Sequence, residues 1–139
     1  MPESPIEPDL ELIEVATRLI AAATDERFHT AAAAARAGDG RILTGVNVLH
    51  FTGGPCAELV VLGRAAAEGV DELTQIVAVG DRDRGILSPC GRCRQMLLDV
   101  FPEIRVVVWT GSSARAVPIG ELLPWASQRN PGGTGSTRV

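Results

Sequence analysis

The sequence predicts an α/β fold in which one mixed five-stranded sheet has helices on both faces. Three observations lead to this prediction. Residues 10–24 repeat apolar side chains with a helical period, an Asp39-Gly40 turn separates two apolar runs, and the second half alternates strand-like and helix-like segments. A strand, a helix and a second strand joined by a short return form a parallel pair with a right-handed crossover. The hairpin adds antiparallel strands, so the sheet is mixed.

The first half of the chain predicts one helix and the hairpin. Asp9 can cap a helix that runs to about Thr24 and presents one apolar stripe to the core. Residues 31–35 and 41–48 then form the two antiparallel strands. The poly-alanine run at 31–35 also has helical propensity, but a helix there would leave the following apolar strand without a partner. We therefore favour the hairpin.

The second half predicts the rest of the sheet. A helix over residues 55–69 is apolar nearly all round, so it should lie between other layers. A strand at 73–79, a helix ending near Phe101, strands at 104–109 and 116–118 and a short helix at 121–123 follow. The domain should cover residues 1–126. Residues 127–139, rich in Gly, Ser, Thr and Arg, predict a disordered tail.

Composition narrows the class of protein. A chain of 139 residues that is 45% hydrophobic is large enough for one domain with its own core. The net charge of -4 argues against a nucleic-acid partner, since phosphate binding calls for a basic surface. No stretch is long enough to cross a bilayer and no signal segment is visible, so we expect a cytoplasmic protein with no membrane partner. With nucleic acid and membrane excluded as partners, we expect the protein to bind a small-molecule substrate.

Two short motifs contain all three cysteines: residues 54–58 (GPCAE) and 88–93 (SPCGRC). In each, a proline precedes a cysteine and a helix-compatible run follows, which predicts that Cys56 and Cys90 lie at helix starts. Cys90 and Cys93 are three residues apart and share one helix face, while Cys56 can supply a third sulfur. Three protein ligands leave the fourth position to water, as in catalytic zinc sites. We expect one Zn²⁺ per chain.

Two other interpretations of the cysteines remain open at this point. A Cys-x-x-Cys pair at a helix start also serves redox centres, where the helix end lowers the thiol pKa. A purely structural zinc site would need a fourth protein ligand. His50, in the loop before Cys56, is a candidate for that role.

Cys-x-Glu followed by Pro-Cys-x-x-Cys resembles the signature of the zinc-dependent cytidine deaminase superfamily in its three-cysteine, free-nucleoside form. The runs at 44–48, 50–63 and 84–95 are similar to the blasticidin-S deaminase branch, and residues 39–124 carry the likeness. The resemblance implies a three-layer α/β/α fold, zinc on the three cysteines and hydrolysis of a 4-aminopyrimidine to its 4-oxo product and ammonia. It also implies a homotetramer whose sites are completed by neighbouring chains.

The resemblance makes Glu58 the proton carrier, beside the open coordination position. Three thiolates on one divalent cation leave a net negative charge, which two helix ends and a nearby arginine would offset. Ordinary three-cysteine cytidine deaminases commonly carry that arginine directly after the glutamate, where this chain has Leu59. Arg92 resembles a replacement. The alternative is that Arg92 is a solvated charge at the helix start.

Substrate contacts also follow from the resemblance, which assigns Thr30, Asn47, Ala57, Arg84 and Ser88 to the binding site. Leu49 stands where ordinary cytidine deaminases have a glutamate that holds a ribose hydroxyl, so cytidine should be a poor substrate. Trp125 is a candidate for a wall that tyrosine forms in the relatives, because this chain has no tyrosine. Phe28 or His29 is a candidate for stacking on the pyrimidine.

Three functions therefore follow, in order of preference. The first is deamination of blasticidin S or a related cytosine nucleoside. The second is the same chemistry on modified or non-natural cytosine-like or triazine bases and nucleosides. The third, more distant, is a zinc or redox protein without enzymatic activity.

Overall fold

The computed structural model describes residues 6–127 and contains a single mixed sheet with helices on both faces, as predicted. The strands are β1 (Ala31–Ala37), β2 (Ile42–Val46), β3 (Leu73–Gly80), β4 (Gly85–Leu87), β5 (Arg105–Trp109) and β6 (Ala114–Pro118). Their order is β2-β1-β3-β5-β6, with β4 paired to β3. All pairs are antiparallel except β3 and β5, which are parallel as the predicted crossover requires. The sheet has one strand more than predicted, the three-residue β4.

The helices are α1 (Leu10–Ala22), α2 (Ala57–Ala67) and α3 (Gly91–Val100), and a 3-10 turn at Ile119–Leu122 replaces the predicted short helix. On one face, α1 packs Leu12, Ala16 and Ile20 against alternate residues of β1 and β3. On the other face, α2 and α3 pack Val61, Ala65 and Leu97 against the remaining ones. Five of the six alanines of β1 are buried between these layers, and their small side chains let helices approach both faces.

Asp9 precedes α1 as predicted, but its side chain does not cap the helix. The carboxylate instead accepts hydrogen bonds from Nε and Nη2 of Arg36 at 2.9 and 3.2 Å. This contact lowers the pKa of Asp9. The Leu12 N–H, which a cap would bind, donates to the Asp9 backbone carbonyl.

Connections between the layers place the motifs at one end of the sheet. The β2–α2 loop delivers the start of α2, and the short β4 leads directly into the start of α3. Both helices lie on the same face, so their first turns are neighbours. No helix within residues 6–127 is long and apolar enough to cross a membrane. Apart from Ser127, the predicted disordered tail lies outside the described residues.

Candidate active site

The three cysteines meet where α2 and α3 begin. Cys56 and Cys90 are the residues immediately before the two helices, both with extended backbone, and Cys93 lies in the first turn of α3. The three Sγ atoms all lie within 4.8 Å of one another, and those of Cys56 and Cys90 are 3.6 Å apart. The spacing of the cysteines in the sequence therefore does bring three sulfurs to one point.

This arrangement fits a zinc ion. Zinc–sulfur bonds of ~2.3 Å at tetrahedral angles put two sulfurs about 3.8 Å apart, close to the Cys56–Cys90 separation. In the described part of the chain no histidine or carboxylate joins the cluster. His50 is not part of the sulfur cluster. Its Nδ1 lies 2.5 Å from the Thr52 hydroxyl in an exposed loop. Three thiolates with an open fourth position match a catalytic zinc site better than a closed structural one.

The cysteines differ in their electrostatic surroundings. Complete burial, together with the nearby Glu58 carboxylate, raises the pKa of Cys93. Burial also acts upward on Cys90, but hydrogen bonds from the Cys93 backbone and thiol and from Cys56 outweigh it and lower the pKa of Cys90. A cation is the group that would let all three ionise together, since metal ligation requires deprotonated thiols.

Arg92 contacts the cluster directly. Its Nη2 donates to the Gly54 carbonyl at 2.9 Å and lies 3.6 Å from the Cys56 sulfur. The sulfur in turn raises the pKa of Arg92. Gly54 also packs against the chain after β2, because a Cβ there would lie 1.8 Å from the Val48 carbonyl oxygen. Arg92 is exposed in the first turn of α3, and its contact with Cys56 is the one expected of a cation that offsets thiolate charge, so this role stays a prediction.

Glu58 is the buried carboxylate of the site, with 7% of its surface exposed. Burial raises the pKa of Glu58, because a charged carboxylate is poorly solvated there. A raised pKa brings the group closer to the range in which a general acid and base both gives and takes a proton. The charge of Glu58 also raises the pKa of Cys93, because the carboxylate lies close to that sulfur.

A cavity of about 210 Å³ opens beside Glu58 and two of the sulfurs. It is lined by Thr30, Ala31, Asn47, Cys56, Ala57, Glu58, Ala78, Arg84, Leu87, Ser88 and Cys90. Five of these are the substrate residues that the resemblance assigned. Four larger cavities lie elsewhere in the described residues, two of about 390 Å³ and two of about 270 and 230 Å³. No cysteine lines any of them, so the chemistry belongs to the smaller cavity.

The part of the cavity lining opposite the sulfurs is formed by Thr30, Asn47 and Arg84 and is called the wall below. Asn47 holds this wall together. Its Oδ1 accepts from the N–H groups of Thr30 and Ala31 at 2.7 and 3.1 Å. Its Nδ2 donates to the Thr30 hydroxyl at 2.9 Å. Because the amide binds both backbone and side chain of β1's start, its orientation is fixed, and the Thr30 hydroxyl keeps its own proton to donate.

Comparison with known proteins supports the same chemistry. The family model described as "Cytidine and deoxycytidylate deaminase zinc-binding region" matches residues 6–110. Blasticidin-S deaminase of Bacillus cereus is 34% identical over 131 residues, covering 88% of this chain and 94% of the relative. Cytidine deaminase of Mycobacterium tuberculosis is 42% identical over 94 residues, 66% of this chain and 68% of the relative. The crystal structure of that species' cytidine deaminase superposes with a TM-score of 0.72 at 32% identity, covering 86% of this chain and 98% of the other.

The chain belongs to the cytidine and deoxycytidylate deaminase family. It is a zinc-dependent hydrolytic deaminase, and the cluster of Cys56, Cys90 and Cys93 fits the one zinc ion that the family binds. The chain's own sheet with helices on both faces, which superposes on solved cytidine deaminases, confirms the three-layer α/β/α fold expected from the sequence. The interpretation as a redox or other non-enzymatic protein gives way to the deaminase.

Four residues considered as substrate contacts lie outside this deaminase cavity. Leu49 is 48% exposed, and Trp125 is fully exposed. The Phe28 ring is covered by the Arg27 guanidinium, whose Cζ lies 5.4 Å from the ring centre. His29 lines two other cavities, and its Nδ1 donates to the Asn47 carbonyl at 2.8 Å. Neither Phe28 nor His29 faces the cavity of the single chain.

Sequence reasoning missed three apolar lining residues of the cavity: Ala31, Ala78 and Leu87. Ala31 could have been predicted from the sequence, because it shares a strand face with Ala33 and Ala35, which pack toward α2. Ala78 and Leu87 are directly paired between β3 and β4. Without β4, which the sequence did not reveal, that pair had no signal.

Proposed function

We propose that this deaminase acts on blasticidin S or a related cytosine nucleoside, replacing the 4-amino group with oxygen and releasing ammonia. One observation carries the proposal. A buried carboxylate with a raised pKa, Glu58, shares a cavity with convergent sulfurs and with a polar wall made by Thr30 and Asn47.

Cys56, Cys90 and Cys93 would hold zinc, which as a Lewis acid makes water acidic enough to attack at neutral pH. Glu58 takes a proton from the attacking water and gives it to the ring nitrogen next to the reacting carbon. It then transfers a second proton to the departing amine. One water is consumed and one ammonia is released. Arg92, at the Cys56 sulfur, reduces the negative charge that the thiolates add.

The wall opposite the sulfurs would orient the substituent on the pyrimidine. Thr30 and Arg84 have donors available there, and Ala57 and Ser88 border the reacting end. The Bacillus cereus relative, called blasticidin-S deaminase, matches this chain over 94% of its own length, which supports blasticidin S as the first substrate to test.

Modified or non-natural cytosine-like and triazine bases are the second candidate. The cavity of about 210 Å³ is below the ~300 Å³ at which pockets for larger organic ligands begin. A cavity of this size suits a small base.

The test is ammonia release from blasticidin S, cytidine, cytosine and a triazine analogue, with zinc per chain measured on the same protein. We expect turnover of blasticidin S above that of cytidine. Glu58→Gln serves as the control for contaminating deaminases. Preference for the free base or triazine would select the second candidate, and no ammonia from any of the four would reject the proposal. Growth of a sensitive host on blasticidin S tests whether the activity confers resistance.

We also propose a cytoplasmic homotetramer. Support comes from exposed aromatic side chains, with Phe51 94% and Trp125 fully exposed, since large exposed rings often mark a contact surface. Three unpaired cysteines suit a reducing compartment. Light scattering should give four times the mass of the chain.

A further inference from the structure

The β3–β4 hairpin brings an arginine to the mouth of the cavity. Arg82 and Asp83, at its tip, have φ angles of 53° and 57°, and Gly85 follows at 75°. This sharp turn folds Arg84 back along the end of β3, where it lines the cavity. Arg84 and Asp81 are also joined by a backbone hydrogen bond of 3.0 Å.

Gly80 provides the surface on which the Arg84 side chain lies. A Cβ at Gly80 would be 2.9 Å from both Cζ and Nε of Arg84 and 3.0 Å from its Cβ. These distances are too short for any side chain to coexist with the guanidinium in this position. A residue other than glycine would therefore push Arg84 away from β3.

Asp81 fixes the direction of the guanidinium. Its Oδ1 accepts from Nε and Nη2 of Arg84 at 3.1 and 2.9 Å. The same Nη2 donates to the Thr30 carbonyl at 2.7 Å, and the Asp81 N–H donates to that carbonyl at 2.9 Å. The Asp81 side chain is only 16% exposed, although Arg84 is 47% exposed. Within residues 6–127, Nη1 is the end of this guanidinium without a partner.

We propose that Asp81 and Gly80 are positioning residues for substrate binding: they fix Arg84 so that Nη1 donates to an acceptor on the substituent of the pyrimidine. The neighbouring Thr30 hydroxyl also donates, because its acceptor side binds Asn47. This end of the cavity thus offers donors and selects an acceptor. The inference rests on the proposed function, in which Arg84 contacts the substrate.

Asp81→Asn and Asp83→Asn form a matched pair. Both remove one carboxylate from the same hairpin, but the hydrogen bonds and ion pair of the Arg84 side chain go to Asp81 and Thr30 and not to the Asp83 side chain. Asparagine also tolerates the positive φ of residue 83. With the best substrate of the panel, we expect Asp81→Asn to raise KM about two- to fivefold with kcat nearly unchanged, the range of a partly exposed charge pair. Asp83→Asn should change neither. Gly80→Ala should raise KM as Asp81→Asn does.

A double-mutant cycle separates positioning from a general structural role. If Asp81 acts through Arg84, adding Asp81→Asn to Arg84→Ala causes no further rise in KM. A further rise, or equal effects of Asp81→Asn and Asp83→Asn, would overturn the inference. So would an unchanged KM in Arg84→Ala, although turnover and its loss in Glu58→Gln would then still support the proposed function.

A second readout does not require turnover. Proton exchange at Nε–H of Arg84, measured by nuclear magnetic resonance, should be slow in the unaltered protein and in Asp83→Asn but faster in Asp81→Asn. If the panel showed no activity at all, equal exchange in the two variants would still overturn the positioning by Asp81. Faster exchange in Asp81→Asn alone would support it.

Discussion

The two sides of the cavity are built in different ways. On the sulfur side, the reactive groups come from two motifs. Cys56 and Cys90 each follow a proline and directly precede a helix, and Cys93 lies in the first turn of the second helix. On the opposite wall, Thr30, Asn47 and Arg84 come from three segments. Hydrogen bonds between residues 17 and 54 positions apart hold them together. The sulfur side therefore depends on local sequence, whereas the wall depends on how the sheet brings distant segments together.

This difference separates the effects expected from mutations. Changes on the sulfur side should remove the metal or the chemistry, because each group there has a distinct chemical role. Changes on the wall should act on substrate affinity and folding stability, because its groups mainly bind one another.

Cys93→Ser should have the largest effect. Cys93 is completely buried and provides one of the three sulfurs of the cluster, so its loss leaves two ligands for zinc. We expect loss of zinc, loss of detectable ammonia release and a lower melting temperature, since ligand binding stabilises the folded state. Metal analysis and turnover on the same sample check this. Full activity in a metal-free variant would contradict the assignment of the cluster.

Glu58→Gln should abolish most turnover while leaving zinc bound. The amide keeps the shape of the side chain but cannot carry a proton, a change typically worth about a hundred- to ten-thousandfold. Glu68→Gln is the matched control at the other end of α2, where Glu68 pairs with Arg41 and Arg64. It should retain normal turnover. Near-normal rates in Glu58→Gln would mean that another group carries the proton.

The sequence predicted the sulfur side well because its signals are local. A proline before Cys56 and another before Cys90 mark helix starts, and the three-residue spacing of Cys90 and Cys93 fixes a shared helix face. The main strands were also predictable, since each has an apolar run. The two helix-start motifs already allowed Cys56 to supply the third sulfur, the family resemblance assigned it to the zinc, and the sulfur distances confirm that the three cysteines meet.

The wall was less predictable because its geometry is not written in any one segment. β4 has three residues, too few for a periodic signal, yet it sets the hairpin that carries Arg84. Asp9 was predicted to cap a helix, but its carboxylate instead accepts hydrogen bonds from Arg36, 27 residues away. Leu49 follows Asn47 by two residues, yet only Asn47 lines the cavity, since Leu49 lies in the exposed loop after β2.

Asn47→Ala tests the wall directly. The change leaves the Thr30 and Ala31 N–H groups without their acceptor and frees the Thr30 hydroxyl. We expect a loss of about 1–3 kcal/mol in the free energy of unfolding and a higher KM, with zinc retained. Asn47→Asp keeps the acceptor oxygen and should lose less stability. Urea unfolding and steady-state kinetics measure both effects, and a fully stable Asn47→Ala would refute the role of this amide.

Arg92→Ala should shift the pH profile by a smaller amount. The cation lies at the Cys56 sulfur and stabilises negative charge there, so without it water at the site ionises less readily. The optimum should therefore move upward in pH. Arg18→Ala removes the same charge from an exposed position on α1, across the sheet, and should leave the profile unchanged. Identical profiles for all three proteins would favour a solvated Arg92.

Leu49→Glu should have the smallest effect. It tests whether the substrate-binding wall extends as far as residue 49. The new carboxylate would stand where ordinary cytidine deaminases hold a ribose hydroxyl, and such a bond is worth about 1.5–3 kcal/mol, or about ten- to a hundredfold in preference for cytidine. In this chain, however, Leu49 is 48% exposed and lies outside the cavity, while its N–H donates to the Phe28 carbonyl at 2.7 Å.

We therefore expect less than about a threefold change in the ratio of cytidine to blasticidin S turnover, and unchanged melting, because surface substitutions rarely alter stability by more than about 0.5 kcal/mol. Val48→Glu, 45% exposed in the same loop, controls for added charge. A tenfold gain on cytidine confined to Leu49→Glu would show that this position reaches the sugar once the protein is assembled. The wall would then extend beyond the cavity of one chain, and Leu49 would be the reason that cytidine is disfavoured.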